Sequence, residues 1–122
     1  MNNRLTLKDL ISREHEPIKM IFNLVKDEDF IQVLKNLSNK IGFGVDCGAC
    51  LFPEDLDEYD KKNNNFVGVE CGLYSGETVI VSYEVFYYYL KKASENFVKQ
   101  YPKKRNEVEK NLLTYIKANK IS

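Results

Sequence analysis

Apolar residues recur at helical spacing in the first third of the chain. Thr6 and Asp9 have the spacing of a capping box, which predicts a short helix that ends before Glu16. Pro17 suits the first turn of a second helix, and residues 18–25 then carry apolar side chains three and four positions apart. The same stretch also alternates as a strand would, and we favour the helix.

The next segment has the clearest helical pattern in the chain. Asp27 or Asp29 can cap it, and Gly42 stands where the C-terminal cap of a helix is expected. Its apolar residues follow the i, i+3, i+4, i+7 pattern of one buried helix face. They are Phe30, Val33, Leu34, Leu37 and Ile41.

The middle third alternates with a period of two, which is typical of β-strands. One strand is predicted over residues 43–52 and another over 67–73. A two-residue turn at Ser75 and Gly76 then leads into a third strand over 77–81. Together these segments predict a three-stranded antiparallel meander.

The C-terminal third is again helical. Ser82 can cap a long helix that ends at Tyr101, and Pro102 can open a last helix with one apolar face. That face consists of Val108, Leu112, Tyr115 and Ile116. The order ααβββαα predicts an α+β fold, in which a small three-stranded antiparallel sheet packs against N- and C-terminal helices.

Length and composition indicate a single domain over residues 1–122, which is long enough to bury a core without a metal or a disulfide. The first 16 residues contain no apolar leader segment, and no apolar run approaches the ~20 residues needed to cross a bilayer. Three cysteines are an odd number for a disulfide framework and suit a reducing compartment. We therefore expect a cytoplasmic protein without a membrane partner.

The 18 basic and 18 acidic residues cancel, but they are unevenly distributed along the chain. Residues 46–77 hold eight acidic residues and two lysines, whereas residues 91–122 hold nine basic residues and three acidic ones. The densest negative charge is the run E-D-L-D-E-Y-D at 54–60. A local charge of one sign attracts partners of the opposite sign over long distances, provided that the fold also separates the charges in space.

Cys47 and Cys50 have the C-x-x-C spacing of zinc and redox sites. In an extended strand, side chains three positions apart point to opposite faces, so Cys47 would face inward and Cys50 outward. Such a pair does not bind one metal ion, and Cys71 has the strand position of a small core residue. We expect neither a metal nor a cofactor, and a small thiol or zinc-binding protein that uses these three cysteines is the alternative.

The chain lacks the usual signatures of catalysis and of nucleic-acid binding. It has one histidine and no G-x-S-x-G, P-loop or G-x-G-x-x-G motif. The acidic run lacks the glycine and the final glutamate of an EF-hand loop. Residues 103–105 are basic, but the isoelectric point is close to neutral. We expect no enzymatic activity and no direct contact with nucleic acid.

Four segments form an unusual combination of motifs. They are G-F-G-V-D at 42–46, C-L-F-P-E-D-L-D at 50–57, V-I-V-S-Y-E-V-F-Y-Y-Y-L at 79–90 and Q-Y-P at 100–102. Over roughly residues 18–116 the chain resembles the CdiI-type immunity proteins against ribonuclease toxins, which belong to bacterial contact-dependent growth inhibition systems. One departure is Cys47, where the resemblance implies glycine or another small residue, and a cysteine is nearly isosteric with serine.

The resemblance implies a non-catalytic inhibitor that binds the C-terminal nuclease domain of its own toxin. A ribonuclease active site is basic because it holds phosphates, so carboxylates can imitate the RNA backbone there. A generic α+β adaptor with a different protein partner is the other alternative. The predicted partner-binding residues are Asp46, Glu54, Asp55, Asp57, Glu58, Tyr59 and Asp60.

Overall fold

The computed structural model describes residues 4–121, and these form five α-helices and one four-stranded antiparallel sheet. The α+β class is confirmed, and the sheet has one strand more than predicted. In chain order the elements are α1 (Glu16–Leu24), α2 (Phe30–Ser38), β1 (Phe43–Val45), β2 (Gly48–Leu51), α3 (Glu58–Asn63), β3 (Val69–Leu73), β4 (Thr78–Val81), α4 (Tyr83–Gln100) and α5 (Arg105–Ala118).

The prediction of one strand over 43–52 is wrong, because this segment folds back on itself as a hairpin. Asp46 and Cys47 form the turn, and β1 and β2 pair directly across it. Gly48 makes the close approach to the next strand possible, since a Cβ at this position would lie 2.2 Å from the carbonyl oxygen of Gly72. The strand order is β1-β2-β3-β4, with β1 and β4 at the edges.

The hairpin reverses the predicted orientation of Cys50, whereas Cys47 packs against the core, on the side predicted. Residues paired across antiparallel strands point to the same face, and two residues are used in the turn. Cys50 is therefore buried in the core, while Cys47 lies half-buried in the turn. The core position predicted for Cys71 is confirmed: it pairs with Cys50, and the two free Sγ atoms are 3.1 Å apart.

One face of the sheet forms part of the core, together with α1, α2, α4 and α5. Phe30 and Phe97 stack with ring centroids 4.5 Å apart, and Phe22 lies 5.8 Å from Phe86. On the other face none of the side chains is buried. We call these seven residues the open sheet face: Gly44, Ala49, Leu51, Glu70, Gly72, Thr78 and Ile80.

The second half of the sheet differs from the prediction at its boundaries. Val67 lies outside β3 and is 85% exposed. The connection between β3 and β4 spans residues 74–77 and is longer than the two-residue turn expected. Within it, Gly76 adopts a φ of +122°, which only glycine adopts without strain.

The N-terminal helices follow the prediction in part. Pro17 lies in the first turn of α1, as predicted, but the expected short helix before it consists of two 3-10 turns, Leu7–Asp9 and Arg13–His15. Helix α2 ends at Ser38 and not at Gly42. Its apolar stripe is therefore shorter than predicted, and Ile41 is exposed beyond its end.

The C-terminal helices are confirmed in their main features. The Ser82 hydroxyl caps α4 by accepting a hydrogen bond from the Val85 N–H at 3.1 Å. The helix breaks before Pro102, which opens a 3-10 turn ahead of α5. Val108 and Tyr115 are the buried residues of α5.

Arg4 fixes the N-terminal segment to the helical layer. Its guanidinium is almost fully buried and donates hydrogen bonds to the carbonyl oxygens of Phe22, at 3.0 Å, and of Val25. It also pairs with Asp27 at 2.6 Å and lies over the Phe30 ring. Burial lowers the pKa of Arg4, and the charge of Asp27 opposes this shift.

Candidate functional site

Residues 53–60, which we call the acidic segment, have more regular structure than the sequence suggested. They begin with a 3-10 turn, Pro53–Asp55, and continue into α3, which was not predicted. The Asp57 carboxylate caps α3 by accepting a hydrogen bond from the Asp60 N–H at 2.8 Å. Asp57 as an N-cap was the feature of the sequence from which α3 could have been predicted, because a six-residue helix is too short to show an apolar period.

Asp55 holds the acidic segment against the sheet. Its carboxylate accepts hydrogen bonds from the backbone N–H of Gly42 at 2.9 Å and from that of Phe52 at 2.7 Å. Gly42 directly precedes β1, and Phe52 directly follows β2. Asp55 therefore connects the two open ends of the hairpin, and its oxygens are already used within the chain.

Asp57 and Asp60 are also used within the segment. Asp57 is the cap of α3, and Asp60 accepts a hydrogen bond from the Asn64 side chain at 2.9 Å. Both contacts stabilise the short helix, whose first turn carries Glu58 and Asp60 and whose last turn carries Lys61 and Lys62. These carboxylates therefore shape the acidic segment and also contribute to its charge.

The remaining four predicted residues have side chains that are free for a partner. Glu54 lies 3.6 Å from Lys40, and such a solvent-exposed ion pair contributes little stability. Within residues 4–121, the carboxylates of Asp46 and Glu58 have neither a hydrogen-bond nor an ion-pair partner. Tyr59 is 70% exposed.

The structure places Asp46 apart from the rest of the predicted site. Asp46 lies in the β1–β2 turn, whereas the acidic segment follows the far end of β2. At about 3.3 Å per residue, the four-residue length of β2 separates the two by about 13 Å. The seven predicted residues therefore form two groups, one at each end of the sheet.

Two side chains that the sequence analysis did not select lie between or beside these groups. Tyr74 follows β3, is 72% exposed, and its hydroxyl would lie 3.6 Å from a Cβ built on Gly44. Ile80 of β4 points outward and is 48% exposed. The available signal for Tyr74 was an aromatic residue directly after the last inward position of a strand, where a polar turn residue is usual.

The thiols do not have the environment of a reactive centre. Partial burial and the neighbouring Asp46 charge raise the pKa of Cys47, and burial raises the pKa of Cys71. A thiol nucleophile needs the opposite shift. Within residues 4–121, no group of three or more His, Cys, Asp or Glu side chains is arranged to hold a metal ion.

No helix within the described part of the chain is both long enough and apolar enough to span a membrane.

Within this α+β fold, Tyr59 and Tyr74 are exposed, and tyrosine is a residue type enriched at protein–protein interfaces. The family described as CDI immunity protein matches residues 14–112, which is most of the chain. The chain therefore belongs to the CDI immunity protein family, which confirms the resemblance seen in its motifs. No curated protein matches the chain.

Proposed function

We propose that this protein neutralises the ribonuclease domain of a contact-dependent inhibition toxin by binding it in the cytoplasm, without catalysing a reaction. Membership of the CDI immunity protein family supports the class of function. The observation that carries the mechanism is the set of unpaired acidic side chains on an ordered surface, with Glu58 beside the exposed Tyr59.

A nuclease that binds RNA has cationic side chains at its active site, because the phosphates of the substrate are anionic. A dense group of carboxylates satisfies these cations in place of RNA and accelerates the encounter of the two proteins. The acidic segment fits this role because α3 holds its carboxylates in a fixed arrangement. A preorganised surface loses less conformational entropy on binding than a flexible loop does.

The seven predicted residues divide into two roles in this proposal. Glu54, Glu58 and Tyr59 contact the toxin from the acidic segment, and Asp46 contacts it from the β1–β2 turn. The other three carboxylates maintain the shape and the field of the segment through their own hydrogen bonds. These are Asp55, Asp57 and Asp60.

The first test is protection of RNA. The C-terminal domain of the contact-dependent inhibition toxin encoded beside this chain is purified and incubated with total cellular RNA. We expect an equimolar amount of this protein to abolish RNA cleavage and to elute with the toxin domain as a one-to-one complex in size-exclusion chromatography. Unchanged cleavage in a tenfold molar excess of this protein would refute the proposed function.

The second test concerns the acidic segment alone. The double variant Glu54→Lys/Glu58→Lys is compared with Glu28→Lys/Glu95→Lys, which changes the net charge equally at exposed positions on other elements. In dilute salt, of about 0.05 M, we expect the first variant to reduce the association rate constant roughly tenfold or more and the control to reduce it much less. Equal reductions in the two variants would mean that only net charge matters and that the acidic segment is not the contact.

A further inference from the structure

The open sheet face joins the two groups of proposed contact residues. Asp46 precedes β2 and the acidic segment follows it, so the outward side of β2 is the shortest surface between them. On that side, Ala49 pairs with Gly44 of β1 and with Gly72 of β3. This row of small residues makes the centre of the open sheet face flat.

Tyr74 lies across this flat centre. Its backbone follows β3, yet its hydroxyl is within van der Waals reach of a Cβ placed on Gly44 of β1, two strands away. The side chain therefore crosses β2 over the small residues and still keeps most of its surface in contact with solvent. An exposed tyrosine held on a rigid surface is a typical anchor of a protein interface, because little side-chain entropy is lost when it is buried.

Most charged residues in and around the open sheet face are acidic, although Lys40, Lys61, Lys62 and Arg13 lie near its edges. Residues 41–60 and 66–82 contain no lysine or arginine, and they supply Asp46, Glu70, Glu77 and the acidic segment. By contrast, the exposed apolar pair Leu7 and Ile11 lies in a segment that carries both signs of charge. The open sheet face thus fits a basic partner, whereas the N-terminal apolar pair favours no sign of charge.

The size of this surface is adequate for a stable complex. Four strands at about 4.8 Å spacing and a mean length of about 13 Å give roughly 250 Å² for the face itself. The acidic segment and the two turns at the other end extend it toward the ~800 Å² per partner of a standard interface. Neither end alone provides that area.

We propose that the basic toxin domain docks on the open sheet face, with Tyr74 as the central anchor and the acidic groups at both ends. This inference rests on the proposed function and specifies the surface that performs it. The acidic segment then steers and orients the toxin domain, while the open sheet face with Tyr74 supplies the flat centre of the contact.

The test uses two variants of the face and one matched control. Tyr74→Ala removes the anchor, and Gly44→Lys places a long cation on the face at an exposed position where a Cβ meets only ordinary contacts. Leu113→Ala removes an apolar side chain of α5 that is 55% exposed. Thermal melts establish that all three fold, and calorimetry with the purified toxin domain gives the dissociation constants.

We expect Tyr74→Ala and Gly44→Lys each to weaken binding 30-fold or more and Leu113→Ala to change it less than twofold. If the unmodified protein binds and both face variants bind as tightly, the open sheet face is not the docking surface, although the proposed function stands. If the unmodified protein does not bind the toxin domain at all, the proposed function itself fails.

Discussion

Replacement of Asp55 tests whether this carboxylate supports the fold or only adds charge. In the structure it accepts hydrogen bonds from the N–H groups of Gly42 and Phe52 and so joins the start of β1 to the end of β2. Asp55→Ala leaves both donors without their acceptor. A hydrogen bond to a charged group contributes about 1.5–3 kcal/mol, and exposure to water reduces this to about 1 kcal/mol for each bond.

The expected loss for Asp55→Ala is therefore about 2 kcal/mol in the free energy of unfolding. For a domain of this size, that corresponds to a fall of about 8 °C in Tm. Circular dichroism during heating gives the Tm, and urea unfolding gives the free energy. The matched control is Glu58→Ala, which removes a carboxylate three residues along the chain whose side chain has no partner within residues 4–121. We expect it to change stability by less than about 0.5 kcal/mol.

An equal Tm for Asp55→Ala and the unmodified protein would refute this reasoning. The Asp55 carboxylate would then be free to contact the toxin, and Asp55 would belong to the contact residues, like Glu58, and not to the supporting ones. A fall in Tm with unchanged affinity for the toxin domain would instead establish a purely supporting role.

Two further predictions follow from the buried Arg4 and the half-buried Cys47. Arg4→Leu leaves two carbonyl oxygens and Asp27 without their partner, so we expect a loss of about 3 kcal/mol in urea unfolding, against less than about 0.5 kcal/mol for the exposed control Arg13→Leu. Because the pKa of Cys47 is raised in the folded chain, its thiolate fraction at a given pH is smaller than in the unfolded chain. Its alkylation by iodoacetamide, followed by mass spectrometry, should therefore be slower in buffer than in urea and should rise only at higher pH. Faster alkylation of Cys47 in the folded protein would favour the thiol alternative. An unchanged urea midpoint for Arg4→Leu would contradict the role of Arg4 in anchoring the N-terminal segment.

Helices α1, α2, α4 and α5 were predictable from local chemistry because their signals are local, whereas the short α3 was missed. Pro17 in the first turn of α1, the Ser82 cap of α4 and the break before Pro102 each act within one helical turn. The apolar stripes then report which face is buried. The predicted helix boundaries were wrong where tertiary packing decides them, as at the end of α2.

The β1–β2 hairpin was missed because the apolar residues of the sequence alternate without a break from 43 to 52. A two-residue turn shifts the inward-facing positions by one residue, and the alternation does not show this shift. Phe43 and Cys50 pair across the hairpin and share a face, although the alternation assigned them to opposite faces. The need for glycine at position 48 comes from the carbonyl of Gly72, which is distant in sequence. Periodicity alone does not contain this contact.

The charge of the candidate site was visible in the sequence, but the division of work among its carboxylates was not. In the sequence, Asp55 and Glu58 are both simply acidic residues of the same run. Only the fold shows that Asp55 accepts hydrogen bonds from two backbone N–H groups, whereas the Glu58 carboxylate has no partner within residues 4–121. The acidic run marks a region, and the three-dimensional arrangement separates supporting residues from exposed ones. Tyr74 lies outside the acidic run, and only the strand register shows that it is close to the proposed contact residues.

The chain leaves the sheet after Leu51 and returns at Val69, and Leu51 pairs with Glu70, the second residue of β3. The excursion between them therefore begins and ends at almost the same point, so its surface can change in sequence without moving either strand. Different exposed side chains on this insert would therefore present a different surface on the same sheet. The base of the insert is constrained by the buried Phe52, by the acceptor at position 55 for two backbone donors, and by Gly68, whose φ of +107° favours glycine.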